Sequence, residues 1–170
     1  NPKKVIDLGK NLVENSNDNV DLKIKGYIEI SSGYGALRDF EKALLYLNKA
    51  KSLLGNSQNT LLKIEAYNKL AIQYQQIKVN DMSLEFLDIA SSLIERYPNK
   101  DSIHTMAGIN LIVRGLVYKE QLSCDVAINF FSKGVVELLE AKEDINYSSI
   151  SIAKYNIANC YAAYNNINLA

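Results

Sequence analysis

Phe40 to Leu54, FEKALLYLNKAKSLL, is the stretch that decides the fold. Its apolar residues recur at the three- and four-residue spacing of one face of an α-helix, and two small residues, Ala43 and Ala50, lie on that face with Leu47 between them. Small residues at this spacing are typical of a helix against which another helix packs closely. The stretch therefore predicts helix-on-helix packing and shows no sign of catalytic chemistry.

Composition narrows the class of protein. A chain of 170 residues can bury a core as one domain without a metal or disulfide. The formal net charge is zero and the charges are interspersed, which argues against direct nucleic-acid binding by this segment. No apolar run approaches the roughly 20 residues that span a bilayer, so no membrane insertion is expected. The start, NPKK, has no initiator Met, and the chain is expected to be part of a longer protein.

The two cysteines, Cys124 and Cys160, are too few for a disulfide framework. They are predicted to be reduced thiols, with Cys160 on an apolar helix face in the core. Reduced thiols favour a cytoplasmic setting, with the periplasm as the alternative.

Hydrophobic periodicity and capping residues predict helices along the whole chain. Asn80 and Ser123 are predicted to cap two of them, and a turn is expected at Asn165 and Asn166. The predicted helices cover 2–14, 20–35, 40–54, 60–77, about 80–97, 101 or 102–121, about 123–142 and 147–164.

The same pattern recurs along the chain. Tyr34, Tyr74, Tyr118 and Tyr161 are separated by 40, 44 and 43 residues, and each follows a small residue by three positions. Nine residues after each tyrosine stands another small residue. Because this nine-residue spacing never changes, the variation in repeat length must lie between the repeats. The small residues are, in order, Ser31, Ala71, Gly115 and Ala158 before the tyrosines, and Ala43, Ser83, Ala127 and Ala170 after them.

We call these recurring positions columns. Their residues resemble the pattern of the tetratricopeptide repeat (TPR) family. The first full repeat carries the family pattern in Tyr27, Ile30, Ser31, Tyr34, Ala43, Leu47 and Ala50, and the second in Tyr67, Leu70, Ala71, Tyr74, Ser83, Leu87 and Ala90. The third repeat has Leu111 where the family has an aromatic residue and Arg114 where the family has leucine. The fourth has Lys154 in place of the aromatic residue. The first helix is aligned by placing Val5 in the column of Ala43.

The resemblance implies an all-α fold, a right-handed TPR solenoid, or alpha-alpha superhelix, of stacked antiparallel helix pairs. One domain, 1–170, is expected, with partial repeats at 2–14 and 151–170 and full repeats at 24–57, 64–97 and 108–141. The repeats are longer than the 34 residues typical of the family. In this they resemble the TPR segments of bacterial regulators that sense peptides or partner proteins.

Catalysis finds little support in the sequence. His104 is the only histidine and is expected to be structural or solvent-facing, and neither a phosphate-binding loop nor a metal-ligand spacing is present. Cys124 follows Ser123 at a helix start, where a thiol can be activated, but a buried, inert thiol is the preferred interpretation. Arg114 interrupts an apolar column and is expected to make a local structural ion pair, with a ligand contact as the alternative. We therefore expect no enzyme activity, no cofactor and no metal.

The inner face of the predicted solenoid is the better candidate for function. In the first helix of a repeat, the first conserved position is Tyr67, Leu111 or Lys154. The residue after this position shares one helix face with the residues four and seven positions later. Amides can pair with an extended peptide backbone, and apolar side chains offer pockets for its side chains. The predicted peptide-binding residues are Asn68, Ile72, Gln75, Ile112, Leu116, Lys119, Tyr155 and Asn159.

The sequence thus predicts a module that binds a peptide or protein segment, as the sensing or interaction part of a larger bacterial regulatory protein, including regulators of transcription. A structural scaffold without a peptide groove and a homodimer through the end helices are the alternatives. The groove amides are also consistent with solvated residues in an asparagine-rich composition.

Overall fold

The computed structural model describes residues 1–121, 123–142 and 145–167, with side chains up to residue 164. Within these ranges the protein is all-α, with eight α-helices, two short 3₁₀ turns and no strand. The helices are α1 (Pro2–Glu14), α2 (Val20–Ala36), α3 (Phe40–Leu53), α4 (Thr60–Gln76), α5 (Asn80–Arg96), α6 (His104–Glu120), α7 (Cys124–Glu140) and α8 (Tyr147–Ile167). The 3₁₀ turns are Leu54–Asn56 and Lys100–Ser102.

Helices that follow one another pack as antiparallel pairs, and the chain divides into two compact units, Asn1–Leu93 and Ile94–Ala170. The all-helical, paired architecture predicted from the sequence is confirmed. The predicted repeat boundaries and single domain stay predictions.

The same tight turn joins the two helices of three pairs. In each pair the carbonyl of the column tyrosine accepts a hydrogen bond from the N–H five residues later: Asp39 to Tyr34 at 3.0 Å, Val79 to Tyr74 at 2.9 Å and Ser123 to Tyr118 at 3.0 Å. This closure of a helix end satisfies a carbonyl that would otherwise lack a partner. A fixed turn geometry explains why the tyrosine and the next small residue are nine positions apart in these three pairs. The fourth such small residue, Ala170, lies outside the described residues.

Side-chain caps start α2, α3 and α4 in the first unit. Asn19, Asp39 and Asn59 each accept a hydrogen bond from the N–H three residues later, at 3.0, 3.2 and 3.1 Å. Asn80, by contrast, is the first residue of α5 and does not cap it, because the Ser83 N–H bonds to the Val79 carbonyl at 3.2 Å. The predicted Asn80 cap is therefore wrong by one residue.

Two other local predictions are corrected. Helix α8 continues to Ile167, so the chain does not turn at Asn165 and Asn166. Helix α6 begins at His104, because the 3₁₀ turn Lys100–Ser102 occupies its expected start. Ser123 is the N-cap residue of α7 as predicted, although its side chain makes no capping bond.

The small-residue column of α3 is confirmed as a packing surface, since Ala43, Leu47 and Ala50 are all fully buried. In α1 the buried residues are Ile6 and Gly9, which stand 41 positions before Leu47 and Ala50. Val5, which the sequence aligns with the buried Ala43, is half-buried, and its place in the repeat stays a prediction. A Cβ on Gly9 would lie 2.7 Å from the Gly26 carbonyl oxygen of α2, so the two backbones nearly touch.

The core of the second unit lies between α6, α7 and α8. Phe131 and Leu138 of α7 are fully buried there, and Ile150 and Ala153 of α8 pack against them. Glycines allow α6 and α7 to approach closely, since a Cβ on Gly134 would lie 3.0 Å from the Gly108 carbonyl oxygen. This core fixes which face of α8 is buried.

Candidate peptide-binding faces

Three of the eight predicted peptide-binding residues belong to α4 in the first unit. Asn68 and Gln75 are buried, with 4% and 9% of their surface exposed, and Ile72 is half-buried. The two amides therefore offer little surface to a ligand in this conformation. Their role in binding stays a prediction.

The other five predicted residues belong to α6 and α8 in the second unit. Ile112 is a core residue with 3% exposed, and Leu116 packs against the same core. Lys119 and Asn159 are half-buried, whereas Tyr155 is 68% exposed. The structure thus places accessible surface of the predicted set mainly at Lys119, Tyr155 and Asn159.

A hydrogen bond joins the two helices at this place. The Lys119 Nζ donates to Asn156 Oδ1 at 2.7 Å, and the Asn156 amide nitrogen donates to the Ile152 carbonyl at 2.8 Å. Asn156 is thereby held from both ends and keeps the end of α6 beside the middle of α8. Asn156 itself is buried, with 8% exposed. We call the residues around this bond that keep surface in solvent the α6–α8 face: Leu116, Lys119, Tyr155 and Asn159.

Asn156 was not among the residues predicted from the sequence. Helical geometry placed Tyr155 and Asn159 on one face, and Asn156 stands about 100° around the helix from Tyr155. The only signal for it was a polar residue between the apolar positions Ala153 and Ile157, of which Ala153 is fully buried and Ile157 partly buried. A buried polar side chain at such a site needs a hydrogen-bond partner.

Charges on α2 and α4 surround a carboxyl group in the first unit. Burial raises the pKa of Glu65, and the negative charge of Glu29 raises it further, while Lys69 and Lys25 act in the opposite direction. The net effect is a pKa above the ordinary value, so ionisation of Glu65 costs more free energy in the folded than in the unfolded state.

We predict that Glu65→Gln raises the free energy of unfolding of the first unit more at pH 7 than at pH 4. The penalty on the wild-type carboxyl is absent below its unfolded pKa, grows as the pH rises through the raised folded pKa, and is fully present above it. Urea unfolding of both proteins at the two pH values measures the difference. Glu41→Gln, which removes an exposed carboxylate from α3, controls for the loss of one charge. The prediction is contradicted if the free energies of unfolding of variant and wild type differ by the same amount at pH 4 and at pH 7.

His104 has a structural contact, as expected. Its Nδ1 lies 2.8 Å from Glu137 Oε2, which joins the start of α6 to α7. The Arg114 guanidinium lies 5.9 Å from the centre of the Phe130 ring, and its predicted ion pair stays a prediction. Within the described ranges, no three His, Cys, Asp or Glu side chains are arranged to hold a metal ion.

The prediction of two reduced thiols is wrong in this structure. Cys124, the first residue of α7, and Cys160 of α8 form a disulfide, with their Cα atoms 5.5 Å apart. That separation is ordinary for a disulfide. The core position predicted for Cys160 is confirmed, because the residue is fully buried.

Two surface depressions lie away from the predicted residues. One, of about 660 Å³, is on α3 and is lined by Asp39, Glu41, Lys42, Leu44, Leu45 and Asn48. The other, of about 310 Å³, is lined by Asp101, Glu140, Ala141 and Lys142. Neither contains a residue of the α6–α8 face.

Comparison with known proteins finds no matching family model, no matching curated protein and no matching solved structure. In the part of the chain that the structure describes, none of the helices has both the length and the apolar character that crossing a membrane requires.

Proposed function

We propose that this chain is a TPR solenoid that binds a peptide or protein segment through the α6–α8 face. The fold part of the proposal is supported by a contact that recurs in three helix pairs. The rings of Tyr34, Tyr74 and Tyr118 each stack on an aromatic ring twelve residues later, on Tyr46, Phe86 and Phe130, with centroids 5.7, 5.5 and 5.3 Å apart. Repetition of the same packing is what a stack of equivalent helix pairs requires.

The Lys119–Asn156 hydrogen bond is the observation that carries the binding proposal, because it holds predicted residues of two helices side by side. An extended peptide would find an amide donor and acceptor at Asn159, which is half-buried. It would find apolar surface at Leu116 and the ring of Tyr155, which is 68% exposed. The face carries a single lysine, so a ligand held mainly by several positive charges is not favoured.

In this proposal the chain serves as the sensing or interaction domain of a larger bacterial regulatory protein. The disulfide favours the periplasm over the cytoplasm, because cytosolic thiols are normally kept reduced. If the domain is instead a scaffold that assembles a complex through other surfaces, Asn68→Ala and Asn159→Ala will leave partner binding intact.

The test is selection of a binding peptide from a displayed library, followed by affinity measurements on variants. We expect Tyr155→Ala and Lys119→Met each to weaken binding about tenfold or more, as truncation of a central interface residue typically does. Tyr161→Ala is the matched control, because it removes a ring that is 55% exposed on the same helix but outside the face.

Two results would contradict the proposal. One is a selected peptide that binds equally well after Lys119, Tyr155 and Asn159 are all substituted. The other is turnover of a substrate by the purified chain, which would make it an enzyme.

A further inference from the structure

Three bonds tie one side of α8 to the end of α6 and the start of α7. On α8 the bonded residues are Asn156, Cys160 and Tyr164, whose four-residue spacing places them on consecutive turns of one side of the helix. Their partners follow in the same order along the chain and are Lys119, Cys124 and Asp125. The second half of α8 is therefore held by one covalent bond that lies between two hydrogen bonds.

The first half of α8 is attached in a different way. Ile150 and Ala153 are buried in the apolar core that α8 shares with α6 and α7, and this attachment does not depend on the cysteines. In the second half, Ile157 is only partly buried against that core. Without the disulfide, the second half keeps two hydrogen bonds, for which water competes. Reduction of the disulfide is therefore expected to loosen the second half of α8 and to leave the first half packed.

The disulfide lies beside the α6–α8 face. Cys160 follows Asn159 directly, and Cys124 stands five residues after Lys119. The face takes half of its residues from α6 and half from α8, so the two halves have a fixed separation only while α8 stays in place. A peptide that contacts both halves binds more weakly when α8 is in place for only a fraction of the time.

We propose that the Cys124–Cys160 disulfide is a redox switch for the α6–α8 face and that a dithiol is its reductant. The chain binds its peptide while the disulfide is intact and releases the peptide when the disulfide is reduced. This inference rests on the proposed function, because it concerns the regulation of the same face. Binding then depends on the thiol–disulfide balance around the chain.

Reduction begins at Cys124, because this residue is half-buried whereas Cys160 is fully buried. A thiolate of the dithiol bonds to Cys124 Sγ, the bond between the two cysteine sulfurs breaks, and its electron pair leaves on Cys160 Sγ. The second sulfur of the dithiol then displaces Cys124. The dithiol ends as a disulfide, and its two protons end on the two cysteines. An oxidised dithiol reverses both steps and restores the face.

The test uses a fluorescent peptide selected from a displayed library against the oxidised 170-residue chain. Fluorescence anisotropy measures its affinity in mixtures of reduced and oxidised dithiothreitol. We expect full reduction to weaken binding at least about tenfold, which corresponds to α8 being in place in at most about a tenth of the reduced molecules. The loss should follow the fraction of protein thiols. Cys124→Ser should bind as weakly as the reduced chain in every mixture.

Phe130→Ala is the matched control for a general loss of stability. The Phe130 ring is half-buried and stacks on Tyr118 of α6 at 5.3 Å, so its removal weakens the second unit at a place outside the three bonds. This variant should bind the peptide with unchanged affinity when oxidised and lose affinity on reduction as the wild type does. Circular dichroism verifies that each variant is folded.

Hydrogen exchange tests the switch without a peptide. We expect the backbone amides of residues 157–164 to exchange at least about tenfold faster after reduction, because the loosened half of α8 opens more often. The amides in the middle of α6 should change much less, since the α6–α7 packing does not involve the disulfide.

Three results would overturn the switch. The first is unchanged exchange of residues 157–164 on reduction, whatever the chain binds. The second is a peptide that Tyr155→Ala weakens but that binds the oxidised and the reduced chain equally well, in which case the proposed function stands without the switch. The third is that no selected peptide depends on Tyr155 or Lys119, in which case the proposed function fails and the switch fails with it.

Discussion

Loss of the Cys124–Cys160 disulfide is expected to lower the free energy of unfolding of the second unit by about 3 to 4 kcal/mol, the chain-entropy value for a bridge between residues 36 positions apart. The bridge ties the first residue of α7 to α8, so without it the unfolded chain gains conformational freedom. A hydrogen bond between Tyr164 and Asp125, which raises the pKa of the Tyr164 hydroxyl, joins the same two helices one turn further along α8. We therefore expect the reduced protein to remain folded but less stable.

Urea unfolding with and without a phosphine reductant measures this loss. Probes confined to the second unit are needed, because two units can unfold in separate transitions. Cys124→Ser, at a half-buried position, should reproduce the effect of the reductant and make the protein insensitive to it. Titration of two free thiols in unfolded protein that was never exposed to reductant would contradict the disulfide and restore the prediction made from the sequence.

The cysteines show where reasoning from the sequence reached its limit. Whether two thiols can bond depends on the distance between their Cα atoms, which is 5.5 Å here although the residues are 36 positions apart in the chain. The number and spacing of the cysteines carry no signal of this distance. The core position of Cys160, in contrast, followed from the apolar residues around it on α8, because burial is encoded in local periodicity.

The helix pairs could be predicted almost residue by residue. The columns that contain Tyr34 and Ala43 reflect a turn that the backbone closes in the same way three times, so a fixed spacing in sequence corresponds to fixed geometry. The ends of helices were harder to predict where a single polar residue was the only indication of a cap. Asn80 has the side chain of a typical cap, but the Val79 carbonyl closes the first turn of α5.

The candidate site was predictable only in outline. Tyr155 is exposed, whereas Ile112 at the equivalent position of α6 is a core residue. The difference arises because α6 is covered by both α7 and α8, while α8 packs against its neighbours on one side. Asn156 could not be assigned because its hydrogen bond to Lys119 joins residues 37 positions apart.

Phe131→Ala is expected to destabilise the second unit by about 3 to 5 kcal/mol, the usual cost of removing a fully buried aromatic side chain. The ring fills the space beside Gly115, where an added Cβ would lie 2.7 Å from two of its carbon atoms. Phe130→Ala is the matched control, because the Phe130 ring is only half-buried and stacks on Tyr118 at 5.3 Å. Its loss should cost clearly less, since part of that surface is already in water.

A double-mutant cycle tests whether Gly115 and Phe131 act as one packing unit. Gly115→Ala alone should destabilise, because the Phe131 ring must shift to admit the new methyl group. Phe131→Leu alone should also destabilise, through the volume that it removes. The two together should cost less than the sum of the single changes, by about 0.5 to 3 kcal/mol, since the methyl group occupies space that the ring has vacated. Strict additivity in urea unfolding would show that α6 and α7 do not meet at these two residues, and would remove the packing argument for the small residue in this column.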